Sequence, residues 1–283
     1  MTTPQRPIIE LDKSAVLSGL FAVWDDIAAL LAGVGEDDWQ APSALPGWDV
    51  KAVLSHIVGT EAFLRGVNPP APDVDVKALE HVRNDIGVMN ECWVRHLSGE
   101  PGADVLARFA EVTGARRAAL EAMSADDWNA VTATPAGMDS YGRFMRIRVF
   151  DCWMHEQDIR VGLRRPSPEE QLDGPAARLS LDEMASGMGF VVGKLGGAPQ
   201  GSRVLIDLTG PLARQIRVRV DGRAQVVEDF GGQEPTAMVR TDALQFTRLA
   251  GGRPLCPARS PEVELGGDRD VADRIVAGLN YVI

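Results

Sequence analysis

Gly35-Glu36-Asp37-Asp38-Trp39-Gln40-Ala41 and Ser124-Ala125-Asp126-Asp127-Trp128-Asn129-Ala130 are near copies of one another. Each follows one long stretch of helical periodicity and precedes another. Each has a turn a few residues later, Pro46-Gly47 in the first and Pro135-Ala136-Gly137 in the second. Two helix–loop–helix halves of this kind pack as a four-helix bundle, which builds its sites from side chains on facing helices. The competing reading is a recurrent loop-and-cap motif with no further meaning.

The flanking periodicity points to helices. Val16, Leu17, Leu20, Trp24, Ile27, Leu30 and Leu31 share one face of a helix over about residues 10–33. After a loop with Pro42, Pro46 and Gly47, Asp49 is placed to cap a helix running to about Gly66, with Val50, Val53, Leu54 and Ile57 on its apolar stripe. Further helices are expected over about 76–97, 103–122 and from Asp139 to Leu163. Pro166, Ser167, Pro168 and Gly174 then mark a linker.

Beyond the linker the pattern is mixed. A helix is expected at about 176–195 and strands at Val204–Leu208, Ile216–Val220, Ala224–Val227, Ala237–Arg240 and Val263–Leu265. Asp221-Gly222 reads as the two-residue turn of a hairpin. Thr241 or Asp242 caps a helix stopped by Gly251, and Asp268 opens a closing helix through Val271, Ile275 and Leu279. The expectation is an α+β protein of two domains, a helical bundle over 1–165 and a small mixed domain over 166–283. The length of 283 residues agrees, at roughly 150 residues per domain.

Composition excludes several roles. A formal charge of −11 opposes both nucleic-acid backbones and anionic membrane surfaces. No apolar run of about eighteen residues, as needed to span a bilayer, is read from the sequence. The first residues lack the apolar core of a signal peptide. The three cysteines, Cys92, Cys152 and Cys256, are far apart and form no CxxC pair. A cytoplasmic location is expected.

The chain has four histidines, His56, His81, His96 and His155. His155 follows Asp151 by one helical turn, so carboxylate and imidazole can converge on one ion. His56 lies at the edge of the apolar stripe of its helix. Three such ligands with a fourth position open would be a catalytic rather than a structural metal arrangement. Asp158 is spaced to orient the His155 ring by a hydrogen bond. The bland alternatives are a surface Asp–His pair and a satisfied core histidine. His81 and His96 read as surface residues. Trp48, Trp93 and Trp153 read as core or pocket wall. Some of Arg143, Arg146, Arg148 and Arg160 are placed to neutralise carboxylates, and others to meet an anionic ligand.

Leu45-Pro46-Gly47-Trp48-Asp49-Val50-Lys51-Ala52-Val53-Leu54-Ser55-His56 and Arg148-Val149-Phe150-Asp151-Cys152-Trp153-Met154-His155-Glu156-Gln157-Asp158-Ile159-Arg160 resemble two signatures of the mycothiol-dependent maleylpyruvate isomerase family. The resemblance covers the first half well and the second half weakly. It implies a DinB-like metal-binding four-helix bundle followed by a small, sterol-carrier-like α+β domain. The ligand set it implies is His56, Asp151 and His155. The isomerase itself carries Glu where this chain has Asp151, which is one methylene shorter. The resemblance also implies an arginine from the second domain, matched here by Arg253 with Arg248 as runner-up.

The function so implied is a metalloenzyme, with zinc favoured by two imidazole ligands. It would use a low-molecular-weight thiol, mycothiol, to isomerise or S-conjugate a small electrophilic substrate. The nucleophile is the thiol cosubstrate, and the protein supplies none. Partners are the small molecules alone, with no nucleic acid and no membrane, in a monomer or homodimer. The alternatives are a non-catalytic lipid or small-molecule carrier and a metal-dependent hydrolase on the same bundle.

Overall fold

A computed structural model describes residues 8–254 and 262–281, so Cys256 lies outside the described residues. The chain divides into two compact units, Met1–Ser167 and Pro168–Ile283. The first contains α1 (Lys13–Leu31), α2 (Glu36–Trp39), α3 (Val50–Phe63), α4 (Asp85–Leu97), α5 (Gly102–Ala122), α6 (Ala125–Asn129), the hairpin β1 (Val131–Thr134) and β2 (Gly137–Ser140), and α7 (Tyr141–Leu163).

Side-chain caps decide where the long helices begin. Asp12 accepts from Ala15 N, Asp49 from Ala52 N and Ser140 from Arg143 N. Each occupies an N–H that a first helical turn otherwise leaves without a partner. α1 packs on α7 and α5, and α3 packs on α5, α7 and α4. Leu20, Val23, Trp24, Ile27, Leu54, Ile57, Phe109 and Leu120 form the core between them. Each contributes about 1.5–3 kcal/mol by leaving water. By length and composition α1 could cross a membrane. Its apolar face is instead buried in the bundle.

The repeated Asp-Asp-Trp segments are the short helices α2 and α6. Their tryptophans, each 2% exposed, fill equivalent places. A Cβ on Gly102, the first residue of α5, would lie 2.2 Å from the Trp39 ring, and one on Gly142 in α7 would lie 2.5 Å from that of Trp128. The echo therefore marks two matched closures of the bundle.

Local readings needed correction. The helix expected over 76–97 is a 3₁₀ turn at Val76–Ala78 followed by α4, because Asn84 caps Gly87 N and restarts the helix there. α7 begins at Tyr141, since Ser140 is its cap, while Asp139 accepts from Ile9 N and Arg143. The β1–β2 hairpin was not anticipated, since strands of four residues are too short to show alternation.

The second unit contains α8 (Pro175–Phe190), a π-helical turn Val191–Leu195, β3 (Arg203–Thr209), β4 (Arg214–Asp221), β5 (Arg223–Val227), β6 (Ala237–Asp242), α9 (Ala243–Ala250), β7 (Glu264–Gly267) and α10 (Arg269–Ala277). The sheet order is β5-β4-β3-β6-β7, with β3 and β6 parallel and the other neighbours antiparallel. Val204 pairs with Val218 and Ala237, and Ile206 with Ile216 and Val239, so all six side chains share one face. That face is buried, and α8, α9 and α10 pack on the sheet.

Candidate metal site

His56 on α3 and Asp151 and His155 on α7 converge, although 95 residues separate the first two. His56 Nε2 lies 3.3 Å from Asp151 Oδ2, and His155 Nε2 lies 3.5 Å from Asp151 Oδ1. One ligand atom from each residue falls within 4.8 Å of the other two. The imidazole rings meet edge to face, with centroids 4.7 Å apart. Both histidines are buried, whereas the Asp151 side chain is 28% exposed, so the site opens on the carboxylate side.

Protonation is divided among the three. Burial lowers the His56 pKa, against the pull of Asp151. Burial works the same way on His155, but Asp151 and Asp158 outweigh it and raise the pKa. Burial opposes the charge on Asp151, yet Arg148, His155 and His56 hold its carboxyl well below the usual range. Asp158 Oδ2 lies 3.0 Å from His155 Nδ1. That contact leaves His155 Nε2 on the side of Asp151, the arrangement by which a carboxylate orients a ligating imidazole. Two imidazole nitrogens and one ionised carboxylate oxygen are the donor set of a zinc-class ion, and the residues present fit it.

A buried ionic network backs the site. Glu61 on α3 is fully buried and accepts from Arg148 Nε and Nη2 at 3.0 and 2.9 Å and from Arg116 Nε at 2.9 Å. Arg148 also donates through Nη1 to Asp151 Oδ2. Arg116 donates to Tyr141 Oη at 3.1 Å. Burial opposes the charge on Arg148, but the groups around it, Cys152, Asp151 and Glu61, raise its pKa. Cys152, packed against this guanidinium, is pushed up to about 12 by burial.

Trp48 forms the wall. Its ring centroid is 5.5 Å from that of His56 and 6.3 Å from that of His155. Its Nε1–H donates to Glu91 Oε2 at 3.1 Å, and His81 Nε2 lies 3.0 Å from the same oxygen. His81 is thus more than a surface residue: it helps to fix the carboxylate that holds Trp48. Trp93 and Trp153 are core residues and His96 is exposed. Arg143 pairs with Asp139 and Arg160 with Glu156.

Arg248 and Arg253 lie in the second unit. Arg253 N donates to Arg248 O at 2.8 Å, Arg253 Nη1 to Gly251 O at 2.6 Å and Arg248 Nε to Pro254 O at 2.5 Å. Gly252, at φ +68°, makes the turn between them possible.

Comparison with known proteins identifies both units. Residues 20–160 match the mycothiol maleylpyruvate isomerase N-terminal domain, and residues 178–274 match the C-terminal domain of the same proteins. A crystal structure of the mycothiol-dependent maleylpyruvate isomerase is similar over 90% of this chain and 93% of its own, with a TM-score of 0.59 at 16% identity. A mutant of that isomerase with a histidine changed to alanine gives the same coverage, a TM-score of 0.58 and 15% identity. At such identities the two structures speak for the fold alone. No curated protein sequence gives a significant match. With both domains matched in order, and the His–Asp–His cluster inside the first, the chain belongs to the mycothiol-dependent maleylpyruvate isomerase family.

Proposed function

We propose that this chain is a metal-dependent enzyme that uses a low-molecular-weight thiol, mycothiol by family, to isomerise or S-conjugate a small electrophilic substrate. The observation that carries the proposal is the convergence of His56, Asp151 and His155 from two facing helices, with one side open. These three residues would hold a divalent ion, zinc by its ligand types, which when bound lowers the pKa of a thiol so that a thiolate is present at neutral pH. Asp158 holds the His155 ring in one orientation. Trp48, anchored by Glu91, keeps water from one side of the imidazoles. An anionic substrate or a developing enolate needs a cation as well, and Arg253 is assigned to that role, with Arg248 second. The test is metal analysis of the purified protein together with a mycothiol titration and turnover of maleylpyruvate. Protein that retains no metal after zinc loading and desalting would sink the proposal.

Asp151 should behave as a ligand. Asp151→Glu keeps the metal and shifts activity, whereas Asp151→Ala loses metal affinity by at least the ~10–100-fold typical of a group that merely supports a ligand. Unchanged zinc affinity in the alanine variant removes Asp151 from the ligand set. For Arg253→Ala, turnover should fall about 10²–10³-fold with metal content intact, the size of losing one charge-stabilising group. Wild-type turnover in that variant reduces Arg253 to a helix-end residue.

A further inference from the structure

Arg116, Glu61, Arg148 and Asp151 form one continuous chain of contacts, guanidinium to carboxylate to guanidinium to carboxylate. Its charges cancel. Glu61 is buried between the two arginines, and the side chains of Arg116 and Arg148 are each only 4% exposed. Asp151 is therefore already neutralised from behind, by a guanidinium that Glu61 holds in place. A carboxylate ligand ordinarily offsets part of the charge of a divalent ion. Here Arg148 cancels that offset, so an ion bound by His56, Asp151 and His155 keeps its surplus positive charge on the open side.

We propose that Arg148 is the residue that makes this site select an anionic sulfur ligand over a neutral one. This rests on the reading of the cluster as a thiol-binding metal centre. Arg148 touches Asp151, and no contact with substrate is assigned to it. It acts through charge, as a positioning and selectivity residue. Asp158 adds a negative charge behind His155, but it faces Nδ1, on the far side of the ring from Asp151.

The experiment uses full-length protein loaded with cobalt(II), whose absorption reports the added ligand. Two probes are titrated at neutral pH in buffer, 2-mercaptoethanol, which gives up its thiol proton to the buffer on binding and so reports an anionic sulfur ligand, and imidazole, which binds as a neutral ligand. Arg148→Met should weaken thiolate binding relative to imidazole binding by about 10–100-fold, the effect of one unit charge roughly 6–12 Å away at an effective dielectric near 20. Arg148→Lys, which keeps the charge, should restore the ratio to within about threefold of wild type. Arg116→Met removes a charge without touching Asp151 and should lower the ratio by a smaller factor. It also serves where Arg148→Met fails to fold. A merely structural role for Arg148 would weaken both probes together, and that result, or an unchanged ratio in Arg148→Met, overturns the proposal. Wild-type protein that binds no cobalt, or binds cobalt and no thiol, refutes the thiol-binding metal centre itself.

Discussion

Glu61→Ala is expected to destabilise the helical unit by about 3–5 kcal/mol, the usual cost of removing one partner from a buried ion pair. For a unit of this size that lowers the melting temperature by roughly 6–20 °C. The cause is the fate of Arg116 and Arg148. Both are buried, and both direct guanidinium nitrogens at the same carboxylate. Without Glu61, two charges face each other in a medium that screens them poorly. Arg108–Glu100 provides the control, because its arginine is 53% exposed, and Glu100→Ala should cost no more than about 1 kcal/mol. A second comparison separates charge from packing. Replacing Glu61, Arg116 and Arg148 together with methionine should recover most of the loss, since well-packed apolar residues commonly match or exceed a buried ionic triad in stability. Thermal unfolding followed by circular dichroism decides the matter. If Glu61→Ala melts like Glu100→Ala, the buried network adds no stability beyond that of an exposed pair.

His56→Ala and His155→Ala should each lose most bound zinc while remaining folded. A ligand sits closer to the ion than a supporting group, so the loss in affinity should exceed the ~10–100-fold seen for supporting groups. The fold should persist because the core of Leu20, Ile27, Leu54 and Phe109 does not depend on either ring. The two variants should differ in one respect. Both strip Asp151 of an imidazole, but His155→Ala also strips Asp158 of the one at 3.0 Å, while His56 Nδ1 has no hydrogen-bond partner among the described residues, so His56→Ala orphans no second carboxylate. Zinc quantified after loading and desalting, with helix content as the folding check, distinguishes the outcomes. Full zinc occupancy in either variant means that residue is not a ligand.

The candidate ligands were legible in sequence because their signals are local. Asp151 and His155 are one turn apart, Asp158 is three residues further on, and His56 sits beside an apolar stripe that helical periodicity exposes. Glu61 was not legible. It lies near the end of α3, where an acidic residue reads as a solvated helix end, and its partners are 55 and 87 residues away. Nothing within a few residues of it announces burial. His81 failed for a similar reason: its partner Glu91 lies across the cap at Asn84, and the helix expected over both residues does not exist. In the second unit the alternation of Ile216, Val218 and Val220 sufficed to find β4, since one wet and one dry face produce a period of two. The parallel pairing of β3 with β6 is a long-range choice that alternation does not encode.

The packing of α1 against α7 also matters during synthesis. Among the described residues α1 alone is long and apolar enough to cross a membrane, and the helix that covers it begins about 110 residues further along the chain. At roughly 5–20 residues per second, the ribosome takes on the order of 5–20 s to span that gap. For that interval Leu20, Val23, Ile27 and Leu31 have no α7 to rest on. The nascent chain therefore carries this apolar segment before its cover exists, and its yield in the cell should depend on how well that segment is shielded until Tyr141–Leu163 arrives.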